Sequence, residues 1–377
     1  MCKQILLVED DASLREWMQY ELIFEGYGVE TAGDGLSALT KINNSPTPDV
    51  ILLDVQLPGM NGFQVCQSLQ ADPLTAAIPV VFLTARASLD DKLTGFESGG
   101  VDYLPKPFKM EELKARIKAL LRMGELERRL AETAVDEEMT QAAAIQNSLM
   151  ARGTPQVPGL DISAECHPAK RVGGDFYDFQ LDENNRVCIV EADVCGKGLA
   201  AALIMTSTRT ALRGATRSMS QPNKVLQTTS DQLYDDLTEV GKFVTAFMAC
   251  YEPDSRQLSW SNAGHSLAVY LPAGGTPQIL EADGPPLGVL TSFDYEHQQV
   301  VFGSGDLLAL CSDGLYEAEN SAGKMYGFEQ LLSVLGSSAG KSAADIVADV
   351  FSDVGKFSAN EEQGDDQTLV IVKGTPS

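Results

Sequence analysis

The stretch Gly-Gly-Asp-Phe-Tyr-Asp-Phe at residues 173–179 places Asp175 between a pair of glycines and an apolar run. A single pair of this kind usually marks a turn, but several together indicate ligands. Aspartate recurs beside glycine or at the edge of an apolar run in three further stretches: Asp-Val-Cys-Gly-Lys-Gly at 193–198, Ser-Asp-Gly at 312–314 and Gly-Asp-Asp-Gln-Thr at 364–368. A second acidic group, Asp10, Asp11 and Asp54, occupies the first third of the chain. Two oxygen-rich sites in one chain predict two metal-dependent phosphate chemistries.

The composition predicts an acidic protein of two globular domains. The chain has 377 residues, 44% of them hydrophobic, which fits domains of roughly 120 and 220 residues. Its formal net charge of −25 argues against a nucleic-acid partner or an anionic membrane, because affinity for phosphate backbones comes from lysine and arginine.

Cysteine usage and the N-terminus predict a cytoplasmic location. Seven cysteines are scattered without a CxxC pair, which favours free or buried thiols over a disulfide framework or a zinc site. The chain enters a short apolar strand at once, without the length of a signal peptide, and no stretch approaches about 18 apolar residues. We therefore expect a soluble protein with no membrane partner.

The first domain, residues 1–121, alternates short apolar runs with amphipathic segments. This alternation predicts an α/β fold, with a doubly wound parallel sheet of five strands covered on both faces. Function collects at the carboxyl ends of such strands. The predicted strands are 5–8, 29–31, 50–54, 80–84 and 101–104, and the predicted helices are 13–25, 35–43, 62–70, 88–98 and 110–121.

Residues 122–155 are predicted to form a helical linker. They are rich in Glu, Arg, Ala and Leu, so the last helix of the first domain can continue through Gly124. The apolar stripe breaks heptad spacing, and two interpretations stay open: a coiled coil that forms a homodimer, or a connector packed on its own domains. Proline and glycine at 153–159 end the helix.

The second domain, residues 156–377, is predicted to be α+β. Hairpin-like spacing with helices set apart from strands indicates antiparallel sheets. The predicted strands are 161–167, 175–181, 186–193, 243–252, 256–263, 306–312 and 367–373, and the predicted helices are 198–214, 222–237, 327–335 and 342–354.

The first acidic group has the parts of a phosphoacceptor site. A carboxylate at a strand end can take a phosphoryl group when a divalent cation neutralises charge and a lysine holds the phosphoryl oxygens. The residues that supply these parts are Asp54, the Asp10–Asp11 pair and Lys106. Thr84 could bond the arriving group and Tyr103 could then change rotamer, which would turn a local charge change into a surface change.

In order along the chain, these residues resemble the two-component receiver domain. The motifs are Val8-Glu-Asp-Asp11, Leu53-Asp54-Val-Gln-Leu-Pro-Gly-Met-Asn-Gly62, Leu83-Thr84-Ala85 and Tyr103-Leu-Pro-Lys106-Pro107-Phe108. The resemblance implies a histidine kinase as partner, Asp54 as phosphoacceptor, and a cis Lys106–Pro107 bond. It also implies Mg²⁺ held by Asp10, Asp11, Asp54 and the Gln56 carbonyl, and a switch made of Thr84, Tyr103 and Lys106.

The second acidic group has the parts of a binuclear metal site. Separated carboxylates that converge on hard cations can bind two ions and activate a bridging water, without a protein nucleophile. Oxygen-only ligation favours Mg²⁺ or Mn²⁺ over zinc. Glycines beside Asp175, Asp193 and Asp313 would let backbone approach the ions, and the Val194 carbonyl could be a further ligand.

These stretches resemble the metal-dependent serine phosphatases of the sporulation and stress-response type, a bacterial branch of the PP2C-like superfamily. Further matching motifs are Asn262-Ala-Gly-His265, Pro286-Leu-Gly288 and Ser312-Asp313-Gly-Leu-Tyr-Glu-Ala318. The resemblance implies a sandwich of two antiparallel sheets flanked by helices. It implies two Mn²⁺ or Mg²⁺ ions held by Asp175, Asp193, the Val194 carbonyl, Asp313 and Asp365, with Asp366 as a substitute or additional ligand.

Three positions near the second site carry open interpretations. Asn262 and His265 would lie near the site. For His265, the favoured interpretation is a loop histidine that supports a turn. Ser266-Leu267 replaces the Asn-Pro that many relatives have there, which puts substrate contacts in doubt. Lys197 stands where histidine is common, and its residue type and position indicate no catalytic role.

The leading hypothesis is a response regulator whose output is a protein serine/threonine phosphatase. The resemblance implies, as substrate, a phosphorylated anti-sigma factor antagonist in a partner-switching pathway. The alternative is a non-catalytic adaptor that binds such an antagonist or a sigma factor, but the chain keeps every carboxylate that the chemistry needs. A transcription factor would need a basic recognition helix, which the acidic second domain does not offer.

Overall fold

The computed structural model describes residues 2–44, 46–84, 101–150, 153–182, 185–359 and 361–376. The chain divides into two compact units, Met1–Val135 and Asp136–Ser377.

The first unit contains the predicted parallel sheet. The strands are β1 (Gln4–Val8), β2 (Gly28–Ala32), β3 (Val50–Asp54), β4 (Val80–Thr84) and β5 (Asp102–Pro105), and the helices before residue 84 are α1 (Ala12–Phe24), α2 (Gly35–Asn44) and α3 (Gly62–Gln70). The strand order is β2-β1-β3-β4-β5, and every described pairing is parallel. The prediction of a helix over 88–98 lies outside the described residues.

Burial of both faces explains the apolar runs of these strands. Leu6 and Val8 of β1 pack into one core cluster, whereas Ile5 and Leu7 pack into another on the opposite face. Because successive side chains of a strand point to opposite faces, a strand covered on both sides must be apolar throughout. The fold prediction for this unit is confirmed.

A single helix, α4 (Met110–Leu149), runs through the predicted linker. Its start packs in the first unit, where Leu113 and Ile117 are fully buried. Beyond that start the apolar side chains are exposed, at 57% for Leu126 and 62% for Leu130. The helix continues through Gly124, as the composition predicts. The assignment of 122–155 as a separate linker stays a prediction.

The second unit is a sandwich of two antiparallel five-stranded sheets, so its predicted fold class is confirmed. The strands are β6 (Leu160–His167), β7 (Phe176–Leu181), β8 (Val187–Val194), β9 (Val244–Glu252), β10 (Gln257–Ala263), β11 (Leu267–Leu271), β12 (Gln278–Ile279), β13 (Gln298–Val301), β14 (Leu307–Cys311) and β15 (Gln367–Gly374). The strand orders of the two sheets are β13-β10-β9-β8-β7 and β12-β11-β14-β15-β6. The helices are α5 (Leu199–Thr216), α6 (Pro222–Glu239), α7 (Asp313–Tyr316), α8 (Phe328–Ser338) and α9 (Ala343–Ser358).

Three core clusters build this sandwich. The central cluster joins the facing sides of the two sheets and includes Phe247 and Leu310. A second cluster packs α5 and α6 against the first sheet, and a third packs α8 and α9 against the other. This layering leaves the loops at the sheet ends to carry polar groups.

Two cysteines depart from the prediction of free thiols. Cys188 and Cys250 form a disulfide, although they are 62 residues apart in sequence. They lie directly opposite each other on β8 and β9, with Cα atoms 4.1 Å apart. The prediction is wrong for this pair because sequence spacing does not reveal the register of two paired strands.

Candidate functional site

The first acidic site lies at the carboxyl ends of β1 and β3. Ligand oxygens of Glu9, Asp10 and Asp54 lie within 4.8 Å of one another, a spacing that suits a cation. Glu9 and Asp10 directly follow β1, and Asp54 ends β3. The sequence analysis missed Glu9, although its place beside the apolar run ending at Val8 could have revealed it.

Asp11 caps a helix in the structure. Its Oδ1 accepts hydrogen bonds from the backbone amides of Ser13, at 2.9 Å, and Leu14, at 3.1 Å. This is the N-cap of α1, and it satisfies amides that the helix cannot pair itself. Of the predicted Asp10–Asp11 pair, Asp10 is grouped with Glu9 and Asp54, whereas one oxygen of Asp11 is engaged by the helix.

Lys106 balances the charge of this site. Its Nζ donates to Glu9 Oε2 at 2.7 Å and to Asp54 Oδ2 at 2.6 Å. Burial lowers the pKa of Lys106, but the hydrogen bonds to Asp54 and Glu9 outweigh it, so the net pKa is raised. The pKa of Glu9 is also raised, chiefly by burial. In this site, two nearly buried carboxylates therefore share one ammonium group as their ion-pair partner.

Of the remaining predicted receiver residues, Gln56 contacts this group, and Thr84 and Tyr103 lie on β4 and β5. The Gln56 backbone amide donates to Asp54 Oδ1 at 2.9 Å, and Thr84 is buried at the end of β4. The Tyr103 ring stacks on Phe82 with centroids 5.3 Å apart, and burial raises the pKa of Tyr103 to about 12. The Lys106–Pro107 bond is cis, so that prediction is confirmed.

The second acidic site draws carboxylates from four segments of the second unit. Asp175 directly precedes β7, and Asp193 lies near the end of β8. Asp313 begins α7, and the Asp365–Asp366 pair directly precedes β15. The fold therefore brings all of the predicted carboxylates to one end of the sandwich.

Burial and mutual repulsion dominate the electrostatics of this site. Burial, and then the charge of Asp193, hold the pKa of Asp175 well above its ordinary value. Burial and the charge of Asp313 raise the pKa of Asp193 to about 6. The pKa of Asp313 is raised by burial and by Asp365. Such a group of carboxylates favours cations, which would relieve both penalties.

The structure separates the roles of Asp365 and Asp366. The Asp366 carboxylate accepts three backbone amides: Ala169 at 2.8 Å, Gly174 at 2.7 Å and Asp175 at 3.3 Å. It thereby anchors the glycine stretch that carries Asp175. Asp365 instead pairs through Oδ2 with Lys197 at 2.9 Å, and its side chain is 35% exposed.

Two glycines make close backbone approaches at this site. A Cβ atom on Gly174 would lie 2.9 Å from the Val194 carbonyl oxygen. A side chain on Gly173 would collide with the Asp366 carboxylate. The Gly-Gly pair is therefore needed for the carbonyl of Val194 and the carboxylate of Asp366 to reach the segment before Asp175.

The predicted donors of this site are all oxygen atoms, the ligand type that Mg²⁺ and Mn²⁺ prefer. They belong to Asp175, Asp193, Asp313, Asp365 and the Val194 carbonyl. The hydroxyl of Thr368 donates to Asp175 Oδ2 at 2.8 Å and orients that carboxylate. Thr368 was not singled out from the sequence, because its role depends on the strand that follows Asp366.

Asn262 and His265 support the loop between β10 and β11. Asn262 Oδ1 accepts the His265 amide at 2.7 Å, and its Nδ2 donates to the Leu280 carbonyl at 3.0 Å. His265 is buried, which lowers its pKa to about 4, and its Nε2 lies 3.7 Å from Glu191 Oε2. The geometry favours the turn-supporting interpretation of His265. Glu191, which is fully buried, was not singled out from the sequence.

Comparison with known proteins assigns the second unit. The model of the Stage II sporulation protein E (SpoIIE) family matches residues 183–374, just over half of the 377 residues. The chain belongs to the SpoIIE family. Residues 5–118 of this SpoIIE-family chain match the response regulator receiver domain. It therefore combines a receiver domain with a SpoIIE-type, PP2C-like phosphatase domain.

Two curated response regulators match about a third of the SpoIIE-family chain. DNA-binding response regulator MtrA of Mycolicibacterium paratuberculosis is 46% identical over 125 residues, which are 33% of this chain and 54% of MtrA. Response regulator MprA of Mycobacterium ulcerans is 45% identical over 127 residues, which are 34% of this chain and 53% of MprA. The chain thus spans about half the length of these relatives.

Solved structures share the sandwich fold of the SpoIIE domain. The SiaA-PP2C domain of Pseudomonas aeruginosa has a TM-score of 0.56 at 20% identity, over 64% of this chain and 98% of that one. The RsbU and RsbW domains of Rv1364c from Mycobacterium tuberculosis have a TM-score of 0.50 at 24% identity, over 59% of this chain and 62% of that one. Within the part of the SpoIIE-family chain that the structure describes, no helix combines the length and apolarity needed to span a membrane.

Proposed function

We propose that phosphorylation of Asp54 controls a metal-dependent phosphatase that acts on phosphoserine or phosphothreonine in proteins. The observation that carries this proposal is the buried, mutually repelling group of Asp175, Asp193 and Asp313, whose pKa values are all raised. A group of this kind is costly unless cations occupy it, so its presence supports a metal-dependent catalytic role.

In this proposal, Asp175, Asp193, Asp313, Asp365 and the Val194 carbonyl hold two Mn²⁺ or Mg²⁺ ions. Such ions supply Lewis-acid activation of water and of the phosphoryl group for in-line hydrolysis. Thr368 holds the Asp175 carboxylate in place, and Asp366 holds the backbone before it. Asp366 therefore acts by positioning the ligand segment, because its own oxygens are engaged by amides.

For the receiver domain, we propose that Asp54 accepts the phosphoryl group from a histidine kinase. Glu9 and Asp10 would hold Mg²⁺ with Asp54 and the Gln56 carbonyl, because ligand oxygens of the three carboxylates lie within 4.8 Å of one another, whereas one Asp11 oxygen is engaged at the helix cap. Lys106, which contacts Asp54, is positioned to hold a phosphoryl oxygen. Thr84 and Tyr103 form the switch that responds.

We extend the proposal to the substrate and the assembly. Likeness to the sporulation and stress-response phosphatases supports a phosphorylated anti-sigma factor antagonist as substrate. Met123, Leu126 and Leu130 of α4 are each more than half exposed, which supports a homodimer formed through this helix.

The test is hydrolysis of a phosphoserine peptide by the full chain with Mn²⁺, with and without beryllofluoride to mimic phospho-Asp54. We expect activity that changes with beryllofluoride and that the matched variant Asp313→Ala lacks. Hydrolysis by Asp313→Ala at the rate of the parent would contradict the proposal that Asp313 is a metal ligand. Absence of hydrolysis in both receiver states, for peptide and phosphoprotein substrates alike, would favour the non-catalytic adaptor.

A further inference from the structure

Three lysines surround the loop of residues 195–198, next to the carboxylates of the SpoIIE domain. They come from three separate loops of a chain whose net charge is −25. Lys170 precedes Asp175, Lys197 lies in the 195–198 loop itself, and Lys242 lies between α6 and β9. The grouping of three lysines at one loop of so acidic a chain indicates a role for their positive charge.

Lys197 reaches from this loop to the acidic site. Its Nζ lies 2.9 Å from Asp365 Oδ2 and also donates to the Gly364 carbonyl. Its side chain is 39% exposed, so a molecule in solution can reach the ammonium group. Lys197 is thus a cation at the open edge of a site whose deeper members are buried carboxylates.

Lys242 and Lys170 approach the same loop through its glycines. Lys242 Nζ donates to the Cys195 carbonyl at 3.1 Å, and a Cβ on Gly196 would lie 2.7 Å from this Nζ. A Cβ on Gly198 would lie 3.7 Å from Lys170 Cδ. Over the described ranges of the chain, neither Lys170 nor Lys242 forms an ion pair with a carboxylate, so both ammonium groups are available to an anion.

We propose that Lys197 binds the phosphoryl group of the substrate, and that Lys170 and Lys242 complete a cationic rim which favours acidic side chains beside the phosphorylated residue. This inference deepens the proposed function and rests on it for the identity of the reaction. It assigns Lys197 a substrate-binding role that the sequence did not indicate.

Charge balance explains how one lysine can serve both Asp365 and a phosphoryl group. In the structure, Lys197 is the partner of Asp365. Cations bound by Asp365 would weaken that attraction, and the ammonium group could then turn to a phosphoryl oxygen. A phosphorylated serine carries close to two negative charges, and lysine binds such groups as a point charge.

Neighbouring acidic residues restrict where the anion can lie. Lys197 also lines a cleft of about 290 Å³ whose wall includes Glu317, Glu319 and Glu362. These carboxylates repel a phosphoryl group, so the favoured approach follows the loop side, where Lys170 and Lys242 lie.

The test measures binding of inorganic phosphate to the full chain in saturating Mn²⁺ by calorimetry. Lys197→Met should raise the phosphate Kd about tenfold or more, since a charge-assisted hydrogen bond is lost. Lys197→Arg should recover part of the affinity. The matched control is Lys224→Met, because Lys224 pairs with Asp294 at the far end of α6, and its phosphate Kd should stay within about twofold of the parent.

A parallel titration with Mn²⁺ separates binding of phosphate from support of a ligand. Because Lys197 competes with cations for Asp365, Lys197→Met should bind Mn²⁺ as tightly as the parent or more tightly. Weaker Mn²⁺ binding would mean that Lys197 only positions Asp365, and it would overturn the proposal.

The remaining outcomes distinguish this inference from the proposed function. If Lys197→Met hydrolyses peptide normally and its phosphate Kd is unchanged, the proposed cationic rim is wrong and the proposed phosphatase activity stands. If phosphate binding depends on Lys197 but the chain hydrolyses no substrate, the cationic rim stands and the proposed phosphatase activity is wrong. Peptides with acidic flanks should have a lower KM than neutral ones, and equal KM values would contradict the role of Lys170 and Lys242.

Discussion

The two acidic sites of this chain differ in how a lysine neutralises their carboxylates. In the receiver domain, Lys106 contacts both Glu9 and Asp54, so a cation of the protein itself lies within the group. In the SpoIIE domain, the carboxylate that Lys197 contacts is that of Asp365, at the open edge. The buried carboxylates Asp175 and Asp193 there have raised pKa values.

The difference indicates which site would gain more stability from a bound metal ion. A buried carboxylate is costly unless it is paired, and in the receiver site Lys106 supplies a pairing cation. The buried carboxylates of the SpoIIE site lack such a partner among the described contacts, so cations bound as proposed would contribute both reactivity and stability there. Changing the charges one at a time can test this contrast.

The largest expected effect is on hydrolysis. Asp193→Asn should lower Mn²⁺-dependent hydrolysis roughly a thousandfold or more, because a lost metal ligand removes several kcal/mol of transition-state stabilisation. Phosphorylation of Asp54 should be unchanged, as measured with a small phosphodonor. Turnover close to that of the parent would contradict the assignment of Asp193 as a ligand.

Removing Lys106 should make the receiver site resemble the SpoIIE site. Lys106→Met leaves Glu9 and Asp54 without their cation, so we expect a loss of about 2 kcal/mol in the stability of the receiver domain. Mg²⁺ should restore more stability in this variant than in the parent. Hydrogen exchange at β1 and β3 measures both effects, and equal Mg²⁺ responses would break the comparison.

The pH dependence of the metal-free SpoIIE domain gives a third test. The pKa of Asp193 is raised from 3.8 to about 6, so the folded state holds the proton more tightly and stability falls as pH rises through this window. Without metal, Asp193→Asn should therefore be more stable than the parent at pH 7.5, by on the order of 1 to 3 kcal/mol.

That advantage should shrink below about pH 6 and vanish below about pH 4, where Asp193 is protonated in both the folded and the unfolded state. The buried His265 has the opposite dependence, since its lowered pKa favours folding at higher pH, but it is common to both proteins and cancels in the difference. Denaturant unfolding with chelator measures this difference. Addition of Mn²⁺ should reverse the order of stability, and an advantage independent of pH would rule out ionisation of Asp193 as its cause.

The smallest expected effect concerns the support of Asp175. Thr368→Val removes the hydroxyl that donates to Asp175 Oδ2 but keeps the size of the side chain. We expect Mn²⁺ affinity to fall about tenfold, because groups that orient a ligand tune metal binding. Thr368→Ser keeps the hydroxyl and serves as the control in calorimetry. Equal Mn²⁺ affinity in the two variants would show that the hydrogen bond does not matter.

Sequence reasoning located the strands of the parallel sheet well and missed three strands of the sandwich: β11, β12 and β13. The parallel sheet was predicted from runs such as Val50–Asp54, which the structure buries completely. Two of the missed strands, β12 and β13, are short and largely exposed and therefore have little apolar pattern. The third, β11, is buried along its whole length, and its apolar run could have revealed it. Sequence reasoning also missed the Cys188–Cys250 pairing, because register depends on how β8 and β9 meet.

The sequence by itself determined the two domains, their fold classes and the stretches that carry the acidic sites, because hydrophobic period and the spacing of glycine and aspartate are local properties. Only the tertiary structure decided which of two neighbouring carboxylates does what. Asp11 caps a helix while its neighbour Asp10 joins Glu9 in the receiver site, and Asp366 anchors backbone amides while Asp365 pairs with Lys197. Adjacent acids have the same local chemistry, and what separates them is which amides and cations the fold brings within hydrogen-bond reach.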